Sequence, residues 1–329
     1  TAVYMSQDKG ATVYAAALGF GSTAMTLPTD DGSANQVLAT DGGGALSWAS
    51  NTASTSIDGL SDAKSAGTNF TGSLLVGHQT TGTLNAAQYN TGVGLASLDA
   101  LTTGDNNTAV GYAALTSNTT GTRNTAYGYD ALYTNGAGGF NVAIGFQSLR
   151  SNTNGGSNTT IGYASLYSNT NGQGNASLGP YSLYSSTESH YNTAIGSKAL
   201  YGNTSGHNNT AIGRDSLLNN TTGDKNSALG YLSLNSNTTG EYNTAVGNSS
   251  LKSNTTGVAN SALGSSSLAA NTTGGSNTAI GDYALTTNTT GSYNTALGQA
   301  ALKLNTTGTN NVAIGYESLK ANTTGDYNT

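Results

Sequence analysis

The residues with the clearest chemical potential in this sequence are three histidines. His190 and His207 are 17 residues apart with Glu188 close by, whereas His78 lies far from both. Imidazole and carboxylate groups held together can bind a divalent metal. The residues found at the same spacing elsewhere range from Asp and Glu to Gly and Val, and such variety is typical of an exposed turn. We therefore predict no metal site and no cofactor.

Carboxylates are a second candidate for chemistry. Glycoside hydrolysis needs two acids a few ångström apart, and Asp215, Asp224 and Glu241 fall at related positions. No position keeps an acid over more than two successive repeats. The glycines form no phosphate-binding loop either, because no Lys-Ser or Lys-Thr pair follows them. The sequence therefore predicts no catalytic residues, and a polysaccharide-degrading enzyme remains an alternative.

Aromatic and polar residues recur at fixed spacing. Stacked tyrosines can bind sugar rings or simply pack on one another, and two columns have this character: Tyr112, Tyr129, Phe146 and Tyr163, and Tyr167, Tyr184 and Tyr201. The Asn-Thr-Thr stretches match N-glycosylation acceptors, but the repeat itself generates the match. Regular threonines would bind ice only if they formed a flat, exposed face.

All these residues are positioned by one repeat of 17 residues, which runs without insertion or deletion from Gly77 to Gly315 in fifteen copies. A strict period of this length is typical of a solenoid or fibre. The structural glycines of the repeat include Gly111, Gly128, Gly145, Gly162, Gly213, Gly230, Gly247 and Gly281. The fold class expected is all-β, a β-solenoid or β-roll fibre with one coil per repeat.

Two further columns define the coil. Four residues before the glycine stands Asn in 14 of 15 copies, and four residues after it stands Leu in 14 of 15. If one repeat is one coil, the Asn column forms a ladder of amide hydrogen bonds at ~4.8 Å spacing, and fifteen coils span roughly 70 Å. The leucines predicted to fill the core are Leu115, Leu132, Leu149, Leu166, Leu217, Leu234 and Leu251.

The short strand before each glycine carries apolar residues on both faces. In residues 141–145, Val142 and Ile144 alternate with Asn141 and Ala143. We expect the branched residues to fill the coil and the small alanines to face a neighbouring chain. The sequence thus predicts a parallel homotrimer whose contacts include Ala194, Ala211, Ala228, Ala245 and Ala262.

The chain before the repeat is different. Residues 1–26 contain strand candidates at 3–5 and 13–15, and residues 27–49 read as a β-hairpin module around Asp41-Gly-Gly-Gly44, with Trp48 packing it. Residues 50–70 suggest a Ser/Thr/Gly-rich linker. The solenoid then occupies 71–329. Because the chain starts at Thr1 and stops within a repeat, we expect it to be a segment of a longer protein.

Composition limits the partners. The net charge is −6 with only 8% charged residues and no basic run, which argues against nucleic acid. No apolar stretch approaches the ~20 residues of a membrane span. The chain has no Cys, so no disulfide or thiolate site exists.

The motif Asn-Thr-Ala-Ile-Gly-x-x-Ala-Leu with Asn-Thr-Thr-Gly turns resembles the shaft repeats of bacteriophage and other virus tail fibres. The Ala-x-Gly spacing is also similar to the trimeric β-roll head of YadA-like autotransporter adhesins, although those repeats are shorter than the 17 residues found here. Leu27 to Trp48 resembles a segment near the shafts of tail-fibre-like proteins.

The resemblance implies a structural shaft on the virion surface, without enzymatic activity, that presents a distal receptor-binding tip for host-cell attachment. The implied partners are two further copies of the chain, other virion proteins at the N-terminal end, and a host glycan or receptor at the tip. The alternatives are a bacterial trimeric surface adhesin or filament, which would be extracellular, and a polysaccharide-degrading tailspike.

Overall fold

A computed structural model describes residues 17–20, 23–26, 28, 33, 36–40, 45–50, 63–65, 71–77 and 85–329. The protein is all-β, as the repeat predicts, and the described residues contain no helix. Among those residues, accordingly, none forms a helix that is long and apolar enough to cross a membrane. The chain divides into two units, Thr1–Gly59 and Leu60–Thr329.

The first unit contains two antiparallel hairpins. Strand β1 (Ala17–Phe20) pairs with β2 (Thr23–Thr26), and β3 (Gln36–Thr40) pairs with β4 (Leu46–Ser50) so that Leu38 lies opposite Trp48. The second hairpin confirms the prediction of two strands around residues 41–44. The strand candidates at 3–5 and 13–15 lie outside the described residues.

The second unit is a solenoid. Strand β5 (Ala63–Ser65) pairs antiparallel with β6 (Leu74–Val76), so the linker predicted for 50–70 is wrong at these three residues. From β6 onward every strand has three residues and pairs in parallel with the strand one repeat later, as in Thr210↔Ser227. One repeat is therefore one coil. The later strands are β7 (Thr91–Val93), β8 (Thr108–Val110), β9 (Thr125–Tyr127), β10 (Val142–Ile144), β11 (Thr159–Ile161), β12 (Ala176–Leu178), β13 (Thr193–Ile195), β14 (Thr210–Ile212), β15 (Ser227–Leu229), β16 (Thr244–Val246), β17 (Ser261–Leu263), β18 (Thr278–Ile280), β19 (Thr295–Leu297) and β20 (Val312–Ile314).

The core of each coil is built from alanine and leucine. The seven leucines predicted as core are all fully buried. The alanine at the centre of each strand is also buried within its own chain: Ala194, Ala211, Ala228, Ala245 and Ala262 are at most 2% exposed. The prediction that these five alanines face a neighbouring chain is therefore wrong. The branched residues point outward instead, as shown by Ile144 and Leu229, which are 36% and 48% exposed.

The narrow coil explains this reversal. At Gly92, which occupies an alanine position, an added Cβ would lie 3.1 Å from Ser97 Oγ and 3.4 Å from Leu98 Cδ1. It would also lie 2.4 Å from Cδ2 of Leu75, so the one coil with a leucine in this column is followed by a coil with only glycine there. Side chains from the segment after the glycine that ends the strand thus already reach the strand centre. Only a small side chain fits beneath them, and a branched residue there would overpack the core.

Glycine is required at the end of each strand for two separate reasons. Gly230 has φ +137°, and a Cβ there would lie 2.5 Å from the carbonyl oxygen of Gly247 in the next coil. Its backbone conformation is one that only glycine adopts readily, and the close approach of two backbones leaves no room for a side chain.

The segment after this glycine also runs along the stack. Ala113 and Leu115 have positive φ values of 52° and 53°, and the residue between them does not. This alternation sends one N–H to the coil before, from Ala113 to Leu95 O at 2.9 Å, and one to the coil after, from Leu115 to Ala131 O at 3.0 Å. Left-handed leucine is unfavourable by itself, so the stacked hydrogen bonds must hold it.

Candidate functional sites on the solenoid surface

Two ladders of buried asparagine fix the coils to one another. In the first, Asn243 donates from its backbone N–H and from Nδ2 to Asn226 Oδ1 at 3.0 and 3.2 Å, and from Nδ2 to Gly257 O at 2.8 Å. In the second, Asn237 Nδ2 donates to Asn220 Oδ1 and to Gly240 O, at 2.8 and 2.9 Å. Repeated amides paired in this way resemble the side-chain ladders of stacked β-structures.

The second ladder also decides the meaning of the Asn-Thr-Thr matches. Asn237 precedes Thr238-Thr239 and its side chain is fully buried. Both N–H groups of its amide are already donated, to Asn220 Oδ1 and to Gly240 O. An amide held in this way is closed to modification in the folded chain. These matches therefore mark a structural ladder rather than glycan attachment sites.

The outward side of the parallel sheet forms a long uncharged strip, here called the outer sheet face. It consists of the first and third residues of β7–β20. None of these positions carries a charge, and the third residue of most strands is a half-exposed Val, Ile or Leu. Monomeric proteins rarely leave a contiguous apolar strip of this length in water. The outer sheet face is therefore a candidate interface.

The histidines predicted to lie one coil apart do stack, with ring centroids 5.2 Å apart. The N–H of Gln173 donates to His190 Nδ1 at 3.0 Å, that of His190 to His207 Nδ1 at 3.0 Å, and that of His207 to Asp224 Oδ1 at 2.6 Å. Each side chain thus caps the backbone N–H of the preceding coil. Within the described residues, no group of three or more His, Cys, Asp or Glu is placed to hold a metal. His78 lies outside those residues.

The two predicted tyrosine columns form aromatic ladders. Tyr112, Tyr129, Phe146 and Tyr163 stack with centroids 5.0 to 5.2 Å apart. Tyr167, Tyr184 and Tyr201 stack at 5.2 and 5.3 Å. Burial and the neighbouring phenols Tyr167 and Tyr201 raise the pKa of Tyr184. Because each ring covers the face of the next, the ladders present ring edges to solvent, which favours packing over sugar stacking.

The solenoid surface carries a third column of aromatic residues, which was not predicted from the sequence. It lies one residue before the first asparagine ladder and contains five rings spaced three coils apart: Tyr89, Phe140, Tyr191, Tyr242 and Tyr293. All five are exposed by 54 to 65%. The signal was present in the sequence as a period of 51 residues, three repeats long, but it is visible only when this column is read by itself.

One coil interrupts the order of the stack. Ser186 replaces the asparagine of the second ladder, and Ser189 replaces the glycine three residues later, so their hydroxyls contact each other. The ladder is therefore interrupted after Asn169, whose Oδ1 is a buried acceptor without a hydrogen-bond partner, and it resumes at Asn203. In the same region Ser177 replaces the alanine found at most strand centres and forms a buried hydroxyl pair with Ser182 at 2.7 Å.

Comparison with protein-family models, with characterised proteins and with solved structures returns no match to this chain.

Proposed function

We propose that this chain is the structural shaft of a homotrimeric virion fibre, which holds a receptor-binding tip away from the particle. The observation that carries the proposal is the outer sheet face, an uncharged strip that continues along all of β7–β20. At ~4.8 Å per coil the solenoid is roughly 70 Å long. The outer sheet face therefore offers a continuous surface of that length for contact with a partner.

The partner that best fits this strip is another copy of the same chain. A partner that covers the whole strip must repeat every ~4.8 Å over the same length. A parallel copy of the chain meets this requirement because it consists of the same coils. Closed symmetry then buries the strips of all copies around one axis. The side chains that meet are Ile195, Ile212 and Leu229 and their equivalents, in place of the alanines predicted from sequence.

The first test is the mass of the full chain in solution. Light scattering should give three times the 32.8 kDa of one chain. Leu229→Asp places three carboxylates near the axis and should yield monomers that keep their β-structure. Thr239→Asp adds the same charge on an exposed turn and should remain trimeric. A wild-type monomer, or dissociation by both variants, would contradict the trimer.

The second test concerns location. Antibodies raised against the chain should label thin fibres on purified virus particles in electron micrographs, with the label distributed along the fibre and not at its tip. Labelling of a bacterial envelope in place of particles would favour the surface adhesin. New reducing ends after incubation with host polysaccharide would favour the tailspike.

A further inference from the structure

The column that contains Tyr89, Phe140, Tyr191, Tyr242 and Tyr293 is here called the ring row. Its rings recur every 51 residues, which is three coils or about 14 Å along the axis. Of six aromatic residues in this column, five fall on this phase and only Tyr327, in the last coil, does not. Neither of the stacked aromatic columns keeps such a phase, so duplication of coils alone does not account for it.

The rings of the ring row do not pack on one another. Rings of the stacked columns contact one another, with centroids 5.0 to 5.3 Å apart. Successive rings of the ring row are three coils apart and do not touch. The row residues also hold unfavourable backbones, with φ between 56° and 61°. Bulky side chains rarely adopt this conformation, while Asn and Gly do so readily. Asn or Gly occupies this column at 72, 106, 174, 208 and 310, so the rings are kept at a conformational cost relative to those coils.

Glycine or a short side chain lies next to three of the five rings in the coil before and next to all five in the coil after. A Cβ at Gly174 would lie 2.7 Å from Tyr191 Cδ1, and one at Gly72 would lie 2.9 Å from Tyr89 Cδ1. Glycine in the coil before thus makes room for the ring. In the coil after, the row carries short side chains throughout: Asn106, Ser157, Asn208, Ala259 and Asn310.

Two of the five rings have a cation beside them instead of a glycine or serine. Arg123 Cζ lies 5.0 Å from the centre of Phe140, and Lys225 Nζ lies 4.7 Å from the centre of Tyr242 and donates to its hydroxyl at 2.8 Å. Rings with amide neighbours therefore alternate with rings beside cations. Both kinds of neighbour supply hydrogen-bond donors next to an aromatic face.

We propose that the ring row binds a linear, uncharged polysaccharide lying parallel to the solenoid axis. Aromatic faces suit the C–H faces of pyranose rings, and the adjacent Asn, Arg and Lys donors suit their hydroxyl groups. The polar gaps between rings do not make the continuous apolar core of a protein interface. The net charge of −6 disfavours an acidic polymer.

This inference does not require the proposed trimer, because the ring row and the outer sheet face are formed by different positions of the repeat. It assigns lateral binding to the rod itself. Several rings at fixed spacing on a rigid rod can bind the same polymer at the same time. The affinity for an oligosaccharide should therefore rise steeply once it is long enough to reach two rings.

The test is electrophoresis of the full chain through native gels that contain hydroxyethyl cellulose, dextran or galactomannan. At least one polymer should retard the wild type. Replacing all five rings by Asn should abolish retardation. Replacing one central ring, by Tyr191→Asn, should weaken the apparent affinity about tenfold. The matched control, Tyr129→Asn with Tyr163→Asn, removes rings of the stacked ladder and should leave retardation intact.

Folding and mass are measured on the same samples. Because Asn already occupies this column at positions 106, 208 and 310, the five-ring variant should melt no lower than the wild type. A wild type that no polymer retards overturns the proposal, as does a five-ring variant that still binds. A variant that loses its oligomeric state shows instead that the ring row is an interface between copies, and this also overturns it.

Discussion

The coils that contain β11 and β12 and those that contain β14 to β20 use one backbone to enclose different interiors. In the later coils, every strand centre from β14 to β20 is alanine, and the second asparagine ladder is unbroken. In the earlier coils, Thr160 and Ser177 replace alanine, and Ser186 breaks the ladder. The strand pairing is the same in both. Backbone stacking therefore sets the shape, while the interior is free to vary if its polar groups find partners.

The comparison predicts that a buried carboxylate is tolerated unequally in the two regions. Ala296→Asp places a charge in a coil where the buried Ala284 and Ala301 take the positions that Ser165 and Ser182 hold around Ser177, and it should cost more than ~4 kcal/mol. Ser177→Asp should cost about half as much, because the Ser165 and Ser182 hydroxyls lie within hydrogen-bond distance of that position and can donate to the carboxylate. Urea unfolding of both variants measures the difference. Equal losses would show that the two interiors are equivalent.

A second prediction concerns the broken ladder. In a regular coil a Cβ on Gly240 would lie 2.5 Å from Asn237 Oδ1, so the asparagine and the glycine depend on each other. Ser186→Asn alone should therefore destabilise by ~1–2 kcal/mol, because Ser189 obstructs the new amide. Together with Ser189→Gly it should stabilise by a similar amount, since Asn169 Oδ1 gains a donor.

Thermal unfolding of the two single variants and the double variant gives the coupling between the sites. Additive effects would mean that the two serines are unrelated replacements. In that case the break in the asparagine ladder would have a cause other than the pairing of Ser186 with Ser189.

The smallest expected effect tests whether the two regions differ outside the core. Ser157 and Ala259 are exposed, lie in equivalent coil positions and have φ values of 59° and 56°. Asn tolerates this backbone better, so Ser157→Asn and Ala259→Asn should each stabilise by at most ~0.5 kcal/mol. Matching shifts in melting temperature are expected. A clear difference would extend the contrast from the interior to the surface.

The sequence was sufficient for the coil but not for its orientation. A repeat without insertions fixes the register, and the leucine column can only be core. The alternation in residues 141–145 assigned Ile144 and Ala143 to opposite faces correctly. It could not show which face is internal, because that depends on the side chains of the segment after the glycine, which a single strand does not reveal.

The candidate sites were less predictable. The histidine pair and the tyrosine ladders follow directly from the period and were found by counting. The capping role of His190 Nδ1 depends on an unpaired backbone N–H at Gln173, which no residue pattern indicates. The ring row was missed because its period is three times that of the repeat that dominates the sequence.

The contact between successive glycine backbones has a genetic consequence. Since Gly230 meets Gly247, and every coil meets the next in the same way, only a gain or loss of a whole repeat preserves the stack. Unequal recombination between similar repeats would produce such changes in one step, lengthening or shortening the rod by ~4.8 Å per repeat. A change of three repeats would in addition keep the five exposed rings in phase. Length in this protein is thus a heritable quantity that varies in whole numbers.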